Sequence, residues 1–204
     1  MNYIASLPDE LTLWFRDTPP IFVTHGVPGS PWDGIARYTS EKRLVELGRM
    51  IKPDFLIVGH THLQLDRTIH FDDRSLRIFN PGAVGIPLDG QPMANYMILD
   101  SSEAGWTPTF RRVRYDVEKM LQAFRQVDYV EHTGAVGRMF IEEIRLARPI
   151  VAPYLRWKSQ YYPDQMETMT MAEEFLRLPP EKIWSLLPSN YQINPQFPIQ
   201  FGTW

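Results

Sequence analysis

LIVGHTH (Leu56–His62) is a short apolar run that stops at a glycine and then presents two histidines one residue apart. A run of this length and composition predicts a buried strand, and histidines at its exit make that exit a candidate site. PIFVTHG (Pro20–Gly26) has the same form, a β-rich run closing on His25-Gly26, and DFLIVGH (Asp54–His60) repeats it. Between them, Thr39–Ile51 carries Leu44, Val45, Leu47 and Ile51 at roughly helical spacing behind Ser40, a plausible N-cap. Strand, helix and strand in that order favour a parallel pairing.

Further along, Leu65–Phe71 and Arg74–Asn80 flank Asp72-Asp73 and read as a hairpin. NPGAVGIP (Asn80–Pro87) is a turn-rich loop, followed by strand candidates Ala94–Asp100 and Pro108–Asp116. From Asp116 the pattern becomes helical: Val117, Met120, Leu121, Phe124 and Val127 share one face with Asp116 as the cap. A second helix is expected over Ala135–Arg148, with Met139, Phe140 and Ile144 inward, and short helical pieces over Met171–Leu178 and Pro179–Leu187. The stretch from about 150 to 204, rich in proline and aromatic residues, reads as an addition to the core.

Composition narrows the chemistry. The 204 residues are 44% hydrophobic, enough for a proper core. Twenty-one basic against 24 acidic residues give a net charge of -3, which disfavours bulk nucleic-acid binding and adhesion to anionic membranes. With no cysteine, any metal must be held by nitrogen and oxygen. No apolar run approaches a membrane span, and the first ten residues lack the form of a signal peptide, so a cytoplasmic protein is expected.

The ends of parallel strands are where ligands gather, so His25, His60 and His62 are positioned to converge. On a straight strand His60 and His62 would point the same way, and in a turn they could still face one cavity. Gly26 and Gly59 let the backbone approach an ion or phosphate closely. Against this stands the plainer reading that a His-Gly pair is simply a turn. His70 reads as a hairpin side chain and His132 as a surface residue. Arg111–Arg114 alternates along a strand as a solvated face.

VTHGVPGSPWDGIARY (Val23–Tyr38), LIVGHTHLQLDR (Leu56–Arg67) and IFNPGAVGIPLDGQPMANYMILD (Ile78–Asp100) resemble the calcineurin-like metallophosphoesterases, in particular their small bacterial and archaeal phosphodiesterase branch. The resemblance runs from about Asn2 to Asp128. It implies an α/β fold, a mixed-sheet αββα sandwich, over residues 1–128, with a helical, proline- and aromatic-rich extension over 129–204. It further implies metal-dependent hydrolysis of phosphomono- or phosphodiesters at a dinuclear centre of Mn, Fe, Zn, Ni or Co. In that family pattern His25 and His60 bind one metal, His62 binds the other, and Asn80 borders the site. The family's earlier D-x-H, G-D-x-x-D and G-N-H blocks, which supply its carboxylates, do not occur in this sequence. The resemblance therefore leads to the expectation of an N-terminally truncated domain, its C-terminal part only. Such a chain would hold the histidine half of the site and need self-association or a complementing N-terminal segment. The alternative is a non-catalytic remnant acting as a binding module.

Overall fold

In the computed structural model, which describes residues 2–103 and 105–187, the two histidine-bearing runs become neighbouring parallel strands. The order of elements is α1 (Asn2–Ala5), β1 (Glu10–Leu13), β2 (Ile21–Thr24), α2 (Glu41–Gly48), β3 (Phe55–Ile57), β4 (Gln64–Phe71) and β5 (Arg74–Pro81). There follow β6 (Met93–Ser102), β7 (Gly105–Arg114), α3 (Val117–Gln126), α4 (Tyr129–Leu146), α5 (Val151–Tyr161), α6 (Met169–Leu176) and α7 (Pro180–Ser185). The fold is mixed α/β with a mixed sheet. It divides into one unit of Met1–Val84 with Asn95–Val113 and a second of Gly85–Ala94 with Arg114–Trp204. Among the described residues no helix is long and apolar enough to cross a membrane.

The first unit contains a five-stranded sheet in the order β1-β2-β3-β5-β4, with β2, β3 and β5 parallel at its centre and the outer pairings antiparallel. Alternation along these strands builds two cores. Leu56 and Val58, with Leu76 and Ile78, face one side, where Ser40 caps α2 at the Arg43 amide and Leu44 and Leu47 are driven under the surface. Phe55 and Ile57, with Ile21 and Phe79, face the other, covered by Met97, Leu99 and Trp106 of the two-stranded β6-β7 sheet. Each fully buried aliphatic side chain gains about 1.5–3 kcal/mol from leaving water. Polar links join the two sheets: Arg77 pairs with Asp66 at 2.8 Å and donates to the Trp106 carbonyl at 3.1 Å, while the Trp106 indole donates to the Pro19 carbonyl at 2.8 Å. The expected hairpin is β4-β5, paired without a break from Gln64↔Pro81 to Phe71↔Arg74.

The second unit has its own core. Met139, Ile150, Tyr154, Trp157, Ala172 and Phe175 pack together from α4, α5 and α6. Asp116 caps α3 through the Lys119 amide, as its position suggests. The helix expected from Ala135 does begin there, after Gly134, whose φ of 64° and ψ of -146° break the spiral; the short helical piece before that break, from Tyr129, was not expected. Helix α5 was not expected, because Ile150 supplies no capping side chain. The cap comes from the preceding helix: the Glu143 carboxylate accepts from the amides of Ile150 and Val151 at 2.8 and 3.0 Å. Burial pushes the Glu143 carboxyl up, against the opposing pull of those two amides. The expected helices over 171–178 and 179–187 fall on α6 and α7, each shifted or shortened at its ends. Part of the aromatic tail, residues 188–204, lies outside the described residues.

Tyr154 is fully buried, yet among the described residues its hydroxyl has no hydrogen-bond partner. An unpaired buried hydroxyl carries a desolvation cost that a phenyl ring avoids. Tyr154→Phe is therefore expected to raise stability by about 1 kcal/mol, read as a higher urea midpoint at unchanged slope. A lower midpoint would show that the hydroxyl is bonded in solution.

Candidate functional site

Parallel pairing of β2 with β3 brings the two histidine-bearing exits side by side. The pairing continues past the strands: the Gly59 amide donates to the His25 carbonyl at 2.8 Å, and the Val58 amide to the Phe79 carbonyl at 2.9 Å. A Cβ on Gly59 would stand 3.2 Å from the His25 carbonyl oxygen and 3.5 Å from its Nδ1, so this close approach suits glycine. Gly26 is tighter still, since a Cβ there would lie 2.4 Å from the Ser30 carbonyl oxygen. These contacts set the His25 and His60 rings edge to face, their centroids 5.5 Å apart.

The GHTH segment is a turn, not the end of a straight strand. His60 and His62 both have left-handed backbone, with φ of 62° and 59°. Non-glycine residues adopt that region at a cost of about 1–2 kcal/mol each. Thr61 between them is buried and holds the turn in place. Its hydroxyl donates to the Ile35 carbonyl at 3.3 Å and accepts from Asn80 Nδ2 at 3.0 Å. The same Asn80 nitrogen donates to the Gly59 carbonyl at 2.8 Å, while its Oδ1 accepts from the Gly82 amide at 2.9 Å. Asn80, fully buried, thus ties the GHTH turn to the NPGAVG loop.

Sequence reading did not single out three neighbours. Gly34 runs directly against the turn, so that a Cβ there would meet Thr61 Cγ2 at 2.5 Å and His60 Cδ2 at 3.1 Å. Asp33, beside it, acts electrostatically on His60. Asn95, on β6, is buried with neither its side-chain amide oxygen nor its nitrogen bonded among the described residues, and a Cβ on Gly82 would stand 3.2 Å from that nitrogen. Only tertiary packing reveals them, because no local spacing connects residues 33, 34 and 95 with 60. His70 bonds Ser75 Oγ at 2.8 Å within its hairpin, and His132 lies exposed on α4. Arg112, in the expected solvated run, donates to Gln64 Oε1 at 3.2 Å.

Burial lowers the pKa of His60 below its ordinary 6.5, the neighbouring His25 lowers it further, and Asp33 opposes them. His60 is therefore neutral at pH 7, with a nitrogen lone pair to offer. His25 and His60 come together, but among the described residues no group of three or more His, Cys, Asp or Glu side chains has the placement to hold a metal ion. His62 is not brought into such a group with the other two.

A sheet of parallel strands opening onto paired histidines and an asparagine-anchored loop defines a class of α/β protein with its site at the strand exits. The signature of the calcineurin-like phosphoesterase superfamily domain matches residues 2–104, half of the chain. The chain belongs to that superfamily. Because the match begins at residue 2, it does not support the expectation that only the C-terminal part of the domain is present. A metallophosphoesterase from Sphaerobacter thermophilus superposes with a TM-score of 0.54 at 25% identity, over 72% of this chain and 60% of that one. The hypothetical protein PH1004 from Pyrococcus horikoshii OT3 gives 0.57 at 21% identity, over 70% and 52%. The uncharacterized protein MJ0912 from Methanocaldococcus jannaschii is 32% identical over 77 residues, which cover 32% of this chain and 31% of that protein. The chain thus spans about a third of the curated relative and between half and two thirds of these solved structures.

Two outcomes follow from this geometry. Asn80→Ala removes three hydrogen bonds from a buried position and is expected to cost about 2–4 kcal/mol, measured by urea unfolding; a loss under 0.5 kcal/mol, about the size of a neutral surface change, would show that the turn holds without it. The His60 ring, followed by NMR, is expected to titrate below 6.5. The unfolded chain takes up that proton first, so this histidine's contribution to stability is present above 6.5 and is lost as the pH falls through the folded value. A midpoint at or above 6.5 would contradict the partial burial of His60 beside His25.

Proposed function

We propose that this chain supplies the imidazole side of a metal-dependent phosphoester hydrolase centre, with His25, His60 and His62 as the nitrogen ligands and phosphomono- or phosphodiesters as substrates. The observation that carries the reading is the pairing of the His25 and His60 rings, 5.5 Å apart, at two adjacent parallel strand exits. Membership in the calcineurin-like phosphoesterase superfamily supports it. Neutral imidazoles suit Mn, Fe, Zn, Ni or Co. Gly26, Gly59 and Asn80 border the centre, and Asn80 acts by fixing the turn that carries His60 and His62.

The described residues do not fit a complete dinuclear centre. Two divalent ions about 3.5–4 Å apart repel strongly and need anionic ligands around them, whereas imidazoles bring no charge. Among the described residues no metal-holding group of three or more such side chains forms. In this reading the carboxylates of the proposed centre are supplied by a complementing N-terminal segment or by self-association. What the chain itself contributes is position: nitrogen donors on a turn clamped by Thr61 and Asn80. We read residues 1–128 as the phosphoesterase part, 129–204 as an extension, and the setting as cytoplasmic.

The same lack of a metal-holding group favours a second reading, a non-catalytic binding module. Bound transition metal, measured by mass spectrometry after dialysis, and bis-nitrophenyl phosphate turnover separate the two. The first reading expects His60→Ala to lower metal content and to cut turnover at least a hundredfold, comparable to loss of a supporting metal contact or more. Metal content and turnover that ignore His60 would favour the module.

A further inference from the structure

The second unit holds a cavity of about 450 Å³, lined by the loop 90–93 and by Arg114, Tyr115 and Val117, where β7 passes into α3. All of these residues belong to that one unit. The volume falls among small-molecule sites, which span roughly 300–1,000 Å³. Volume alone does not make a site, and three further observations concern its walls.

First, the lining is held in place by bonds of its own. The Gly90 amide donates to the Ala147 carbonyl at 2.8 Å, the Gln91 amide to Asp89 Oδ1 at 3.2 Å, and the Met93 amide to the Gln91 carbonyl at 2.7 Å. Asp116 caps α3 at the Lys119 amide, which fixes Val117 at the start of the helix. A ligand entering such a cavity meets little ordering cost. Second, the surface offered is mainly apolar. Pro92, Met93 and Val117 supply hydrocarbon, and Tyr115 withdraws its hydroxyl from solvent, so that it presents no phenolic donor.

Third, the lining carries one formal charge, the exposed Arg114 guanidinium, and no carboxylate. In a chain of net charge -3 this reverses the local sign, and apolar walls focus the field of a charge within them. Among the described residues the Arg114 guanidinium has no ion pair or hydrogen bond, and neither has the Gln91 side-chain amide. The carboxylates next to the lining in sequence are engaged by backbone, Asp89 by the Gln91 amide and Asp116 by the Lys119 amide.

A guanidinium takes a carboxylate through two parallel hydrogen bonds. One cation beside hydrocarbon suits a monoanion with an apolar body, whereas a phosphate dianion would bring charge that the lining leaves unpaired. We infer that this cavity is a binding site for a small apolar monocarboxylate, its carboxylate anchored by Arg114 and its body against Pro92, Met93 and Val117. The site uses no residue of the histidine pair and is independent of the phosphoester reading.

The test is an amide NMR titration of the full chain with three probes: benzoate, benzamide as its neutral counterpart of similar shape, and acetate as a carboxylate without the body. Benzoate is expected to shift the amide signals of Gly90, Gln91, Met93 and Val117 and to bind at least about tenfold more tightly than either other probe. Arg114→Gln is expected to weaken benzoate roughly 10- to 100-fold and to leave benzamide unchanged, while Arg114→Lys keeps part of the affinity. Equal binding of benzoate and benzamide, or benzoate binding that ignores Arg114→Gln, overturns the anchor and with it the proposal. Acetate binding as tight as benzoate overturns the apolar half. No shift at those four amides by about 20 mM benzoate, well above the millimolar range expected of so small a ligand, overturns the site itself.

Discussion

The hydrogen bond from the Gly59 amide to the His25 carbonyl closes the parallel pairing of β2 and β3, and the geometry of the site depends on it. Its position is fixed by the cores on either face of the sheet. Leu56 and Val58 belong to one core, Phe55 and Ile57 to the other. A slip of one residue would exchange the two sets, setting side chains shaped for a helix against a sheet and the reverse. Register is therefore specified by packing on both sides, and the histidine rings inherit that specification. Their approach needs no bond of their own, because it is a by-product of how the strands must pair.

Much of this was legible in the sequence because the signals are local. Apolar runs ending in His25-Gly26 and Gly59-His60 marked β2 and β3, Ser40 and Asp116 marked helix starts, and Asp72-Asp73 marked the hairpin turn. What escaped was carried over longer distances. Helix α5 is capped by Glu143, seven and eight residues upstream of the amides it holds, and so shows no capping residue at its own start. Strand β1 has only four residues and pairs as an edge, too short for its alternation to stand out. The left-handed backbone of His60 and His62 could not be read from an H-x-H spacing, which suits a strand equally well.

The electrostatics of the pair follow from the same geometry. With the two rings 5.5 Å apart, a charge on His25 disfavours a proton on the partly buried His60. Burial and His25 lower the His60 pKa, while Asp33 limits the effect. Asp33 is itself engaged by Arg43, which divides its negative charge between the two neighbours. The result is a neutral His60 ring at pH 7 beside His25 at the two strand exits.

Holding two non-glycine residues in left-handed backbone costs free energy, and the costs must be offset where they arise. Thr61 and Asn80 do this from below: both are buried, and their bonds reach the GHTH turn, the Ile35 carbonyl and the NPGAVG loop at once. Because those partners lie on three different segments, the turn cannot relax without disturbing the loop that carries Trp32 or the one that follows β5. Rigid support beneath strained ligand-bearing residues is how a site keeps its donors aimed before any ligand is bound. The chain has therefore placed its order beneath the GHTH turn, where Thr61 and Asn80 fix the backbone that carries His60 and His62.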